Sequence, residues 1–141
     1  MVHVKQIVDR DLYSVESGQT VAEVTRRMAE LRVGAIVVLQ SERLCGVFSE
    51  RDLMMRVVVE RLDPESTPVD KVMTTEVVTV DESEDIEAAM ESMRLNQCRH
   101  LPVLQGEKVV AFLSMRDLMH FQLTRKTEEL HRMRAYVHGI A

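Results

Sequence analysis

The chain reads as an α/β protein made of two β-α-β-β-α repeats in tandem with an extended C-terminal helix, and three observations predict this. Gly46-Val47-Phe48-Ser49-Glu50-Arg51-Asp52-Leu53-Met54 is written a second time, 65 residues later, as Ala111-Phe112-Leu113-Ser114-Met115-Arg116-Asp117-Leu118-Met119. Held at that offset without a gap, residues 13–56 align with residues 78–121 and give eleven identities in 44 positions, where chance gives about two or three; self-similarity at a fixed period is the mark of a structural repeat. Within each copy the hydrophobic pattern changes in the same order, from helical steps of three and four to short continuous apolar runs, which reads as a helix followed by buried strands.

Residues 1–12 alternate weakly, with Val2, Val4 and Ile7, and form a lead-in that matches residues 69–74 only loosely. Tyr13-Ser14-Val15 is a short strand, after which the chain turns through Gly18. Thr20-x-x-Glu23 is a capping box, in which each side chain satisfies a helix-end N–H of the other. It opens a helix whose Val21, Val24, Met28 and Leu31 share one face. Residues 35–39 are too short and too continuously apolar for a surface strand and are predicted to be buried on both faces. Residues 40–43 make a tight connection and residues 44–48 return as a strand. Ser49 then caps a second helix, predicted to run to about Leu62 with Leu53, Met54, Val57 and Val58 inward.

Asp63-Pro64-Glu65-Ser66-Thr67-Pro68 joins the copies, because proline ends a helix and restricts the residue before it. The divisions are a first repeat at 4–62, a linker at 63–68, a second repeat at 69–122 and a helical extension at 123–141. In the second copy residues 77–80 are the first strand, and a helix from about Asp85 turns Ile86, Ala89, Met90 and Met93 inward. Residues 101–104 and 109–113 flank a turn at Gln105-Gly106-Glu107-Lys108, with Pro102 among the first residues of its strand, where a missing N–H is tolerated. The last helix is predicted from about Met115 to Val137, roughly 35 Å at 1.5 Å per residue, and outgrows its repeat. Met119, Leu123, Leu130, Met133 and Val137 follow a four-three spacing that Lys126 interrupts, short of the three or four heptads of a coiled coil. Their apolar faces require cover, either from a second subunit or from the chain's own linker around Pro64 and Pro68.

Composition removes several function classes. With 45% hydrophobic and 29% charged residues, and no 18-residue apolar run or secretory pattern, the chain reads as a soluble cytoplasmic protein. Its formal charge of −5 disfavours a nucleic-acid partner, since such binding rests on neutralising phosphates with Lys and Arg. Cys45 and Cys98 belong to no Cys-x-x-Cys or His-rich cluster and read as buried thiols. No nucleophile-base arrangement, paired-carboxylate motif or Gly-rich phosphate loop stands at usable spacing, so an enzyme is not expected.

What remains is the repeated Ser-x-x-Asp at a helix start. Ser49 with Asp52, and Ser114 with Asp117, read first as capping boxes. A helix N-terminus also leaves N–H donors unpaired and carries positive partial charge, which suits a phosphate or a sugar hydroxyl. An Asp held there can accept both hydroxyls of a ribose. Capping alone does not require the copies to agree at Arg, Leu and Met as well.

On the doubled hydrophobic-x-Ser-x-x-Asp motif, and on Leu101-Pro102-Val103, the chain resembles the cystathionine-β-synthase (CBS) domain family over about residues 4–121. A CBS pair forms a Bateman module, here of the stand-alone bacterial or archaeal type. Ala111 departs from the usual glycine and leaves less room beside its strand. The resemblance implies repeats related by a pseudo-twofold axis and a non-catalytic regulatory module. It also implies an adenosine-containing ligand, AMP, ADP, ATP or S-adenosylmethionine, in clefts between the repeats. The motif Asp would take the ribose hydroxyls, the motif Ser would lie near ribose or phosphate, and basic residues just before the second strand would take phosphates. Carried over, Asp117, Ser114, Arg99 and His100 make a complete nucleotide site, with Val33 and Gly34 flanking the adenine. Asp52 and Ser49 have Gly34 and Ala35 where the basic pair would be, so that site is either empty or borrows Arg99 and His100. Arg99 also reads as an exposed arginine at a helix end, and His100 as a histidine hydrogen-bonded beside a strand. His120, His131 and His138 carry no assigned role, whereas Met115 could touch a bound base.

The leading expectation is a sensor of AMP or ATP, with the bound nucleotide a regulatory ligand and not a cofactor. The alternatives are an S-adenosylmethionine or NAD sensor, and a ligand-free interaction module. A homodimer meeting through helix faces, and an unknown downstream protein, are the expected partners.

Overall fold

The computed structural model describes residues 2–8 and 12–139. The first repeat contributes β1 (Ser14–Glu16), α1 (Val21–Leu31), β2 (Ala35–Gln40), β3 (Arg43–Ser49) and α2 (Glu50–Asp52). The second contributes β4 (Val80–Asp81), α3 (Ile86–Asn96), β5 (His100–Gln105), β6 (Lys108–Ser114) and α4 (Met115–Val137). In each repeat the first strand pairs parallel with the second, and the second antiparallel with the third. One six-stranded sheet results, in the order β1-β2-β3-β6-β5-β4. The order is palindromic, so the pseudo-twofold axis runs between β3 and β6, which meet at the single pair Arg43 and Lys108.

Local chemistry explains the elements. Thr20 Oγ1 accepts the Glu23 N–H at 3.2 Å and starts α1; Arg32, left-handed at φ 57°, ends it. Val21, Val24 and Met28 then point into the core. β2 lies between two strands and is buried from Ala35 to Leu39, as its unbroken apolar run requires. Ser41 and Glu42 turn the first hairpin at φ 52° and 69°; a two-residue hairpin needs two positive φ values to match the twist of its strands. The repeat extends to the irregularities. Val38 faces Gly46 while Leu39 faces Leu44, which leaves Cys45 as a bulge. Val103 faces Ala111 while Leu104 faces Val109, which leaves Val110 as the same bulge 65 residues on.

Four sequence expectations are corrected. The second helix does not continue as an α-helix to Leu62: beyond Asp52 it widens into a π-helix, Leu53–Val58, with the Val59 N–H on the Met54 carbonyl at 3.0 Å. The wider turn leaves Val57 fully buried but rotates Met54 and Val58 into solvent, at 53% and 64% exposure. β4 holds only Val80 and Asp81, because Val77 and Val78 line a cleft and do not pair. Cys45 and Cys98 are half-buried, not buried. Pro102 is the third residue of β5, opposite Phe112, where β4 has not yet begun to pair.

Each lead-in closes the other repeat's core. Val4 sits fully buried among Val80, Ile86, Leu101 and Leu118, held by its N–H on the Glu84 carbonyl at 2.8 Å. Val69, Val72 and Met73 pack among Val21, Ile36 and Phe48 of the first repeat, with the Val69 N–H on the Gln19 carbonyl at 2.8 Å. Residues 1 and 9–11 of the lead-in, and 140–141 of the C-terminal extension, lie outside the described residues. A third apolar group, Val37, Leu39 and Val109 with Leu44, Leu104 and Phe112, seals the seam between the repeats.

Candidate functional site

Both Ser-x-x-Asp motifs are capping boxes, built identically. β3 ends at Ser49, whose extended backbone makes it the cap of α2. Its Oγ accepts the Asp52 N–H at 3.2 Å, and Asp52 Oδ2 accepts the Ser49 N–H at 3.0 Å. At the end of β6 the Asp117 N–H reaches Ser114 Oγ at 3.1 Å, and Asp117 Oδ2 accepts the Ser114 N–H at 2.9 Å. The first residue of each motif helix then donates back across the hairpin. Glu50 reaches the Gly34 carbonyl at 2.9 Å, and Met115 the Arg99 carbonyl at 2.8 Å. Those two bonds hold the residues just before β2 and β5 beside the helix N-termini.

Two clefts open at these helix starts. One, of about 490 Å³, is lined by Asp117, Ser114, Arg99, His100, Val33 and Gly34, together with Tyr13, Arg32, Met115 and Arg116. The other, of about 1010 Å³, is lined by Asp52 and Ser49 with Gly34, Arg99, His100, Arg51, Arg56 and Thr74. The sequence gives Arg99 and His100 to the second repeat's site and leaves the first either empty or borrowing that pair. In the fold the pair stands at the wall common to both clefts. Gly34 and Ala35 at the start of β2 border both clefts as well, so the two strand starts meet there. Met115 borders the Asp117 cleft; His120 and His131 are exposed along α4.

The electrostatics of the common wall centre on His100. Its ring stacks on Phe112 with centroids 4.9 Å apart and planes at 23°. Burial holds its pKa below the ordinary histidine value, with Asp117 pulling it up and Arg99 pushing it further down. Burial likewise raises the thiol of Cys98, which lines the larger cleft. Asp52 is only 8% exposed and, among the described residues, holds more partners than Asp117. Besides the Ser49 N–H, it accepts from Ser49 Oγ at 3.0 Å and from Thr74 Oγ1 at 3.2 Å, and Arg56 Nε lies 3.7 Å away. Asp117 is half-buried.

Sequence reading misses Tyr13, Arg32 and Phe112, because nothing in their spacing marks them; the fold alone brings them to the cleft. Arg51 and Arg116, identical at the offset, carried a signal. Among the described residues no group of three or more His, Cys, Asp or Glu side chains could hold a metal ion, and no helix is long and apolar enough to cross a membrane.

Comparison with known proteins places this geometry. Residues 4–59 and 69–124 each match the CBS domain. The Arabidopsis thaliana CBS domain-containing protein CBSX3, mitochondrial, is 31% identical over 85% of this chain, which spans 61% of that protein. The CBS domain-containing protein YhcV of Bacillus subtilis is 30% identical over 90% of each chain. Other Arabidopsis relatives are much longer, and the chain spans 22% of CBSCBSPB5. Among solved structures, a putative signal-transduction protein with CBS domains from Burkholderia ambifaria is 30% identical, with a TM-score of 0.80 over 87% of this chain and 95% of that one. The CBS domain protein PAE2072 from Pyrobaculum aerophilum, solved as a complex with AMP, is 30% identical, with a TM-score of 0.76 over 82% and 89%.

Proposed function

The chain belongs to the CBS domain family, and on that premise we propose that it is a non-catalytic regulatory module that binds an adenine nucleotide, AMP or ATP, between its repeats. The observation that carries this is the cleft at the second motif, where one helix start gathers Asp117, Ser114, Arg99 and His100 with Val33 and Gly34. The chemistry suits a nucleotide. A carboxylate at a helix N-terminus accepts two vicinal hydroxyls, while the positive end of the helix dipole and a basic pair meet phosphate oxygens. The related protein from Pyrobaculum aerophilum, complexed with AMP, supports the ligand class.

A thermal-shift panel with AMP, ADP, ATP, NAD and S-adenosylmethionine tests the reading. A ligand at a hundred times its dissociation constant stabilises the fold by about 2.7 kcal/mol, a readily measured rise in Tm. Stabilisation by AMP or ATP is expected; stabilisation by S-adenosylmethionine alone would transfer the assignment to that class, and by none would remove it. Arg99→Ala separates the classes further, weakening AMP while leaving adenosine unchanged.

Two copies of the module pair through their helices in this reading. Met54, Met55, Val58, Val59 and Leu62 are exposed around the first motif helix, and Met119, Leu123, Leu130, Met133 and Val137 along α4. Such a concentration of apolar surface marks an interaction site.

A further inference from the structure

We infer that Arg56 and Thr74 close the Asp52 cleft to a ribose, so that the chain takes one nucleotide, in the Asp117 cleft. The inference rests on the nucleotide reading above and deepens it, since it concerns which cleft binds and what keeps the other shut. A carboxylate offers about four lone-pair positions; three donors already fill positions on Asp52, and a guanidinium stands beside it as an ion-pair partner. Oδ2 takes the Ser49 N–H and the Ser49 hydroxyl, both at 3.0 Å. Oδ1 takes the Thr74 hydroxyl at 3.2 Å and faces Arg56 Nε at 3.7 Å. A ribose presenting two hydroxyls must displace Thr74 and Arg56.

Neither is easily displaced. Thr74 is strapped to β3 by a reciprocal pair of backbone bonds with Val47, both 2.9 Å long. The strap lies so close to β3 that a Cβ on Gly46 would stand 2.7 Å from the Thr74 carbonyl. Arg56 is anchored at its far end, donating to the carbonyls of Met73 and Val72 at 2.9 and 3.3 Å. It thereby ties the motif helix to the strap it faces.

The second repeat differs at two of these positions. At the 65-residue offset Gly46 becomes Ala111, whose Cβ forbids so close an approach, and Arg56 becomes Phe121, which offers neither charge nor donor. Among the described residues the Asp117 carboxylate accepts only the Ser114 N–H, which leaves it lone pairs for a ligand, although the two clefts share Arg99 and His100.

Equilibrium dialysis of AMP against the full chain, counted as moles bound per mole of chain at saturation, tests this. The wild type is expected to bind one equivalent and Thr74→Val, alone or with Arg56→Gln, two. Thr74→Ser, which keeps the hydroxyl, is expected to remain at one, and Asp117→Ala to reach its one equivalent only at tenfold to a hundredfold higher AMP. Circular dichroism melts of each variant exclude unfolding as the cause of a lost site. Two equivalents in the wild type would overturn the closure while leaving the nucleotide reading intact. One equivalent in folded Thr74→Val/Arg56→Gln would overturn it equally. No binding in any variant would overturn both.

Discussion

His100 is where residue chemistry speaks most directly to function. Burial favours its neutral form, so the folded chain holds fewer protons there than the unfolded chain at pH values just below the ordinary 6.5. Stability from this group is therefore present above pH 6.5 and falls as the pH drops through that value. Replacing it by Asn removes the penalty, and urea unfolding at pH 5.5 and 7.5 should show a smaller loss on acidification for His100→Asn than for wild type; equal losses would contradict the account. A phosphate beside the ring reverses the preference and draws a proton in. AMP binding at neutral pH should then take up protons, read by calorimetry in buffers of different ionisation enthalpy, and His100→Asn should abolish the uptake. At Gly46 the argument is steric. Its added Cβ would meet the Thr74 carbonyl at 2.7 Å, and backbone does not yield cheaply. Gly46→Ala should cost roughly 1–3 kcal/mol, measured by denaturant unfolding; a cost under about 0.5 kcal/mol would show that the strap moves freely. Both motif carboxylates were legible in the sequence, because repetition singled them out. Arg56 and Thr74 were not: Arg56 has Phe121 and no like residue at the offset, and Thr74 reaches Asp52 from 22 positions further along the chain.

At the scale of elements, the helix starts followed from local rules that tertiary structure did not override. Thr20, Ser49 and Ser114 cap helices because their side-chain oxygens accept the N–H three residues on, a relation confined to adjacent sequence. The π-helix was illegible for the opposite reason: Leu53, Met54, Val57 and Val58 fit an α-helical face equally well. The wide turn is fixed instead by the packing of Val57 and by the bonds of Arg56 to residues 72 and 73. α4 ran as its sequence predicts, from Met115 to Val137, and leaves Leu123, Met133 and Val137 more than half exposed. Burying each would contribute roughly 1.5–3 kcal/mol before entropy is subtracted, whereas an isolated helical extension of this length is marginal in water. Light scattering should report a dimer for the full chain, and a weaker dimer or a monomer for a chain cut after Thr124. A monomeric full-length chain at micromolar concentration would exclude pairing, and an unchanged dimer after truncation would confine the interface to the repeats.

For the whole molecule, the doubling of one sequence block predicted two repeats, and their palindromic sheet follows. The exchange of lead-ins, with Val4 in the second core and Val69 in the first, could not be read from the repeat. An offset records which residues correspond, not which copy they pack against. That exchange, with the shared wall of Arg99 and His100, makes the two clefts parts of one interface between repeats. A ligand there bears on both copies at once, which is what a regulatory module requires. Calorimetric titration of AMP into the full chain and into Asp117→Ala tests this central claim most directly. Loss of charge-assisted hydrogen bonds to ribose should cost roughly 1.5–3 kcal/mol, a tenfold to hundredfold rise in Kd. An unchanged Kd in a folded Asp117→Ala variant, or no heat of binding from AMP, ADP or ATP with the wild type, would contradict the account.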